Sequence, residues 1–409
     1  MQPILQGLRI VEVSAFVAAP LGGMTLAQLG ADVVQISPIG GRMDHTRWPV
    51  TSAGASLYWA GLNKGKRSIR LALDRPEGQD CAAALIAAEG DGGGAALTNL
   101  PARGWLSYES LRRRRADVIL LKLLGNPDGS TAVDYTVNCA SGFPAVTGRG
   151  DGPVNHVLPA WDLAAGLYLS TGLLAAERHR RLTGNGQEVS LALSDVMLAT
   201  VGNLGFIAEV QINDHLRQPI GNDLYGAFGR DFPTRDGRRV MLTAITNRQW
   251  DALCGATGLT DRIAGIAAGT GEDLRDEGGR YRARDSIADA LAVWCGQRTL
   301  SEISNLLENS GVLWGSYQDF RQLVSEDPRC STANPMFQEV DQPAVGRYLA
   351  PGSPLSFGAA SRGPVMPAPL LGQHSEEILS DVLGLPSAEI GRLFDQGIVA
   401  GIEADNGLN

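Results

Sequence analysis

The chain has 409 residues, 44% hydrophobic and 19% charged, enough for two domains with sizeable cores and unlike a disordered or fibrous chain. Acidic residues outnumber basic ones 44 to 35, a formal charge of −9 that repels phosphate backbones, so no nucleic acid is expected as a partner. Five cysteines stand too far apart for a zinc framework and read as reduced thiols. The start, MQPILQGLRI, has no basic run leading into a long apolar stretch, and the most apolar segment, 189–210, is interrupted by Ser190, Ser194, Asp195 and Asn203. Neither a signal peptide nor a membrane span is expected, which places the chain in the cytoplasm without a membrane partner.

Residues 8–13 have strand character, 20–29 read as a helix, and 30–36 open on a glycine at the helix exit and continue as a β-branched strand. This strand–helix–strand unit is the mark of a parallel sheet. A strand over 68–73, a helix over 76–88, a strand over 95–99, a helix over 108–114 and a strand over 117–124 continue the alternation. A helix over 161–177 ends at the basic run Arg178-His179-Arg180-Arg181; a turn at 184–186 leads to a strand over 187–191 and a helix from 193 to about 210. Residues 1–210 therefore read as a doubly wound α/β domain and 211–224 as a linker. Residues 225–327 read as a smaller α+β domain, with a hairpin over 232–243 turning at Asp236-Gly237. The last segment, 328–409, is a return strap rich in proline, glycine and serine. Within it the strap covers 328–370, and two amphipathic helices, over 375–383 and 387–396, are expected to pack back on the large domain.

The run Gly90-Asp91-Gly92-Gly93-Gly94 precedes a strand instead of joining a strand to a helix, so it reads as a surface turn and not a phosphate loop. The first strand–helix junction lacks the three glycines of a dinucleotide site, and no serine-hydrolase elbow, P-loop or zincin motif occurs. Arg112 to Arg115 read as a solvated helix end. Asp162, in Leu158-Pro159-Ala160-Trp161-Asp162-Leu163-Ala164-Ala165-Gly166, is the informative residue. An aspartate there is ordinarily a cap. The alanine- and glycine-rich helix behind it would let a bulky ligand approach, and the helix start would keep Asp162 ionised, as a carboxylate nucleophile requires. No metal site is read from the sequence.

Asp162 and Gly166, Gly172-Leu173-Leu174-Ala175-Ala176, Thr183-Gly184-Asn185-Gly186-Gln187 and Asp195 together resemble the class III CoA-transferase family. The opening with Pro20, Leu29-Gly30-Ala31-Asp32, Asp44 and Arg47 is similar to the same family, as are Asn63-Lys64-Gly65-Lys66-Arg67 and the closing Pro369-Leu370-Leu371-Gly372-Gln373-His374. The resemblance implies a Rossmann-like large domain built from both chain ends, an inserted small domain, and a homodimer of interlocked subunits. It assigns Asp162 as the nucleophile that attacks a CoA thioester. CoA then enters as part of the acyl-CoA substrate, with no permanently bound cofactor. CoA contacts map to Val17, Lys66, Arg67, Asn99 and Leu100, with Arg42, Arg47 and Arg103 as candidates for the phosphates. Residues 133–144 and 156–162 look most like the mesaconyl-CoA (2-methylfumaryl-CoA) isomerase branch, with Asn138, His156 and Trp161 toward the acyl group. That branch moves CoA between the two carboxyls of one diacid, and a basic partner such as Arg47 would retain the free diacid. An intermolecular transferase remains an alternative. So does a racemase, although Val133 stands where the racemases carry their histidine, and so does a binding protein without catalysis.

Overall fold

The computed structural model describes residues 3–402; residues 1–2 and 403–409, the ends of the 1–210 and 328–409 segments, lie outside the described residues. The chain forms two compact units. One comprises the residues up to Ser141, His156–Asp214 and those from Pro328 on; the other comprises Gly142–Asn155 and His215–Asp327. The stretch 142–155, placed by the sequence within 1–210, therefore groups with the second unit. A backbone hydrogen bond ties it there: Gly221 N–H donates to the Gly148 carbonyl at 2.6 Å.

In chain order the strands are β1 (Arg9–Val13), β2 (Asp32–Pro38), β3 (Arg67–Leu71), β4 (Ala95–Thr98), β5 (Ile119–Leu124), β6 (Glu188–Ala192), β7 (Phe228–Pro233), β8 (Arg239–Ala244), β9 (Leu313–Ser316), β10 (Phe337–Gln342), β11 (Gly346–Pro351) and β12 (Val399–Ala400). The first unit is built on a mixed, mostly parallel sheet in the order β12-β3-β2-β1-β4-β5-β6. Only β12 runs antiparallel, with Val399 opposite Leu71 and Ala400 opposite Arg70. Residues such as Val11, Val34, Ile36, Ile69 and Leu120 are buried, as strands covered on both faces require. The helices Ser375–Leu383 and Ser387–Asp395 contribute Ile378, Leu379 and Ile390 to that core, so the far end of the chain completes the layer begun by the first strands. The strand order reverses between β1 and β4, and in sheets of this kind ligands bind beyond the carboxyl ends of the strands at such a point.

The helix Ala160–Thr183 crosses Ala18–Gln28 at close range. A Cβ on Gly166 would lie 2.8 Å from the Ala18 carbonyl oxygen, and one on Gly22 3.1 Å from that of Gly166. Gly166 thus serves helix–helix packing, not the approach of a ligand. The basic run lies inside this helix, which continues to Thr183, because Arg180 is buried and donates to the carbonyls of Gly93 (2.8 Å) and Gly94 (3.1 Å). Arg115 donates to Ala88 and Gly90 from the other side, so two arginines bind the glycine turn through its carbonyls. The helix expected over 193–210 is broken into Leu193–Asn203 and Phe206–Asn213, bent by 56° where Gly205 takes φ 83°. Among the described residues no single helix is long and apolar enough to cross a membrane. Within the strap, β10 and β11 pair as a hairpin.

The second unit carries the antiparallel sheet β7-β8-β9. Its core joins Phe228, Val240 and Leu242 to Trp250, Ile287 and Trp294 of the helices Asn247–Thr257 and Arg284–Gly296.

Candidate active site

The helix that carries Asp162 starts after Pro159, whose side chain cannot accept a hydrogen bond, so the first N–H groups need an acceptor from elsewhere. Asp134, first residue of the buried-faced helix Asp134–Ala140, supplies it. Its Oδ2 accepts the N–H of Trp161 at 2.7 Å and that of Asp162 at 3.1 Å. Asp134 is 2% exposed, and its Oδ1 has no hydrogen-bond partner among the described residues. The expectation that Asp162 might merely cap its own helix is therefore replaced: the cap comes from Asp134. The Asp162 carboxylate accepts no hydrogen bond among the described residues. Burial pushes Asp162 up to about 6; the Asp134 carboxylate adds to the rise and Arg47 opposes it. The helix start was expected to keep Asp162 ionised; desolvation makes it a weaker acid than that position alone would. At neutral pH the side chain is still mostly ionised, and it is more basic than a solvated aspartate.

Two loops beyond the carboxyl ends of β1 and β2 face this carboxylate. The Asn99 amide ties down the first, accepting from Ala15 N–H at 2.9 Å and donating to the Ala15 carbonyl at 2.6 Å. Phe16 follows at φ 67°, a left-handed conformation costly for a bulky residue. It is held there by the buried Asp44, both of whose carboxylate oxygens lie 3.1 Å from Phe16 N–H. The Arg47 guanidinium lies 5.3 Å from the centre of the Phe16 ring and 5.0 Å from that of Tyr58. Burial pushes the Tyr58 phenol up to about 12, so it stays protonated.

Of the residues expected to bind CoA, several are committed elsewhere. Lys66 is fully buried and gives its three protons to Glu12 (2.8 Å), the Pro20 carbonyl (2.9 Å) and Asn63 (2.8 Å), leaving none for a phosphate. Arg67 opens β3 and is spent on Asp32 and Glu377. It sits where β2 and β3 begin, at the amino ends of those strands. Asn99 fixes the β1 loop, and Leu100 packs on the core. Val17 is buried at the start of Ala18–Gln28. Arg42 and Arg47 stand on either side of Asp44 in sequence, half-buried, and Arg103 is exposed ahead of a short 3-10 turn. Toward the acyl side, Trp161 and Asn138 are both buried, with Trp161 Nε1 donating to Asn138 Oδ1 at 3.1 Å. His156 is half-buried in the segment leading to the helix. Phe16, Tyr58 and Asp134 were missed. Only Asp134 had a signal: the proline before Ala160 leaves a helix start that must be capped from outside.

A desolvated carboxylate with free lone pairs, at a fixed helix start beside an arginine, is suited to attack an activated carbonyl. The model of CoA-transferase family III matches residues 5–375. The chain is 57% identical over 404 residues to a 2-methylfumaryl-CoA isomerase of Chloroflexus aurantiacus, covering 98% of this chain and 99% of that one. It is 28% identical over 397 residues to a succinyl-CoA:mesaconate CoA-transferase of Haloarcula marismortui, covering 92% and 96%. The crystal structure of a CAIB/BAIF family protein from Brucella suis matches with a TM-score of 0.75 at 22% identity, over 93% of this chain and 100% of that one, which supports the α/β fold. With the family model spanning most of its length, the chain belongs to CoA-transferase family III.

Proposed function

We propose that this enzyme is an isomerase that converts 2-methylfumaryl-CoA to 3-methylfumaryl-CoA by moving CoA between the two carboxyls of one unsaturated C5 diacid. The observation that carries the reading is the Asp162 carboxylate, half-buried, unspent and held at its helix start by Asp134. The near-full-length similarity to a 2-methylfumaryl-CoA isomerase supports the choice of substrate. Asp162 attacks the thioester carbonyl and expels the CoA thiolate, leaving a mixed anhydride. The thiolate attacks the aspartyl carbonyl of that anhydride, giving an aspartyl-CoA thioester and the free diacid. The other carboxylate of the diacid attacks this thioester and forms a second anhydride, and the released thiolate takes its acyl carbonyl. Asp162 is regenerated and neither water nor a second acid is consumed. Asp134 fixes the helix start, and the Trp161–Asn138 pair closes the site behind it against water, which would hydrolyse either anhydride.

A Rossmann-like reading of the large unit, with strand order β3-β2-β1-β4-β5-β6, belongs to the same proposal, as do a homodimer of interlocked subunits and CoA phosphates bound by Arg42 and Arg103. Purified protein given only 2-methylfumaryl-CoA should form the 3-methyl isomer. Labelled free mesaconate added to the mixture should stay mostly out of the product. Product that forms only with an added acid, or that carries the label in full, would overturn the intramolecular reading in favour of an intermolecular transferase.

A further inference from the structure

Arg47 differs from the committed arginines of its unit. Arg67 and Arg180 spend their donors on carboxylates or backbone carbonyls. The Arg47 guanidinium donates no hydrogen bond and has no ion-pair partner among the described residues; its contacts are with the Phe16 and Tyr58 rings. Stacking on rings uses the faces of a guanidinium and leaves its edge of N–H donors available, the geometry that takes a planar carboxylate in two parallel hydrogen bonds. The seat is built at a cost, because the Phe16 ring is presented from a left-handed backbone that Asp44 holds in place. Conformations of that kind persist where the surroundings over-determine them. The Tyr58 hydroxyl is buried with no partner among the described residues, a second unspent donor beside the same guanidinium.

Arg47 is close enough to Asp162 for their charges to act on each other. When Asp162 reaches a thioester carbonyl, the CoA phosphates are a whole pantetheine arm away, while the free carboxylate of a short diacid is only a few bonds away. The anion that fits beside Asp162 is therefore the carboxylate. We infer that Arg47 seats the carboxylate that does not carry CoA, and so selects dicarboxylic over neutral-tailed acyl groups. The inference rests on the proposed action on a diacid. It also accounts for turnover without loss of the diacid. Once CoA is on Asp162, either carboxylate can occupy the Arg47 seat while the other attacks, so one site serves substrate and product. The charges facing Arg47 are those of Asp44, on its own turn, and Asp162, on the helix opposite.

The test compares wild type, Arg47→Gln and Arg47→Lys with two substrates, 2-methylfumaryl-CoA and the neutral-tailed crotonyl-CoA. The readout is the rate at which CoA is captured on Asp162, trapped with borohydride, together with inhibition by free CoA. Arg47→Gln should reduce the preference for the dicarboxylic substrate by about tenfold to a hundredfold, the worth of a charge-assisted hydrogen-bond pair. Arg47→Lys should fall between, keeping the charge without the planar fork, and it decides the matter if the glutamine variant does not fold. Inhibition by free CoA should stay within about twofold. Equal losses on both substrates, or weakened inhibition by free CoA, would overturn the inference and return Arg47 to the phosphates. Wild type that captures CoA with an Arg47-dependent preference but forms no isomer would instead defeat the isomerase reading alone.

Discussion

Asp134 and Asp162 share one helix start: the Oδ2 of Asp134 accepts the N–H of Asp162 at 3.1 Å while its charge raises the pKa of the Asp162 carboxyl. One side chain, 28 residues earlier in the chain, thus both fixes the position of the proposed nucleophile and adds to the rise that burial gives its pKa.

Asp134→Asn separates these two contributions. The amide oxygen can still accept the helix N–H groups, but the negative charge is gone. Asp162 is raised first by burial, then by Asp134, and lowered by Arg47; Tyr58 also faces it as a neutral phenol. Removing the second cause lowers its pKa, so the acid limb of kcat/KM should move to lower pH by about half a unit or more. Asp134→Ala, which also removes the cap, should lose about 1–2 kcal/mol of stability as well. An unmoved acid limb in Asp134→Asn would reduce Asp134 to a purely structural cap.

Asp162 itself opposes folding. Its folded pKa, about 6, lies above the ordinary aspartate value of 3.8, so folding favours the protonated carboxyl. The penalty is absent below the unfolded pKa, grows as pH rises between the two values, and is complete above about pH 6. That difference corresponds to about 3 kcal/mol before discounting for partial exposure. Asp162→Asn should therefore be inactive yet more stable than wild type at pH 8, by about 2 kcal/mol, with the difference vanishing near pH 4. Denaturant melts at the two pH values check this. A variant less stable than wild type at pH 8 would contradict the unspent state of the carboxylate.

The alternation of strands and helices was legible because period and glycine exits are local signals, and Asp162 was legible because its neighbourhood carries a family resemblance. The partners were not. Lys66 and Arg67 stand next to each other in a basic landmark, and nothing local says that one points inward to Glu12 and the other outward to Asp32. Lys66 stands just before β3 and Arg67 opens it, and their opposite directions take on meaning only when β2 and β1 lie alongside. The end of the helix at Arg178 was misread for a related reason: a basic run looks like a solvated terminus until Arg180 is seen buried against the Gly93 and Gly94 carbonyls. Phe16 gave no warning at all, because its left-handed backbone is imposed by Asp44 from another loop.

The buried pair Glu12 and Lys66 yields the sharpest stability test. Both side chains are 0% exposed and 2.8 Å apart, with Ser14 also donating to Glu12 at 2.7 Å. Burial raises the pKa of Glu12 and lowers that of Lys66, and each charge counteracts the shift of the other. Gly23 is required above them, since a Cβ there would overlap Glu12 Oε2. Lys66→Met leaves a buried carboxylate without its counter-charge and should cost about 3–5 kcal/mol. Adding Glu12→Gln removes the uncompensated charge and should recover most of that loss, because a neutral buried pair avoids the desolvation of two ions. The double variant should also bind free CoA as wild type does, since all three Lys66 protons are spent inside the protein. Denaturant midpoints of the two single variants and the double, with CoA inhibition measured on the double, complete the cycle. A stable Lys66→Met protein that had lost CoA inhibition would put the lysine back at the phosphates.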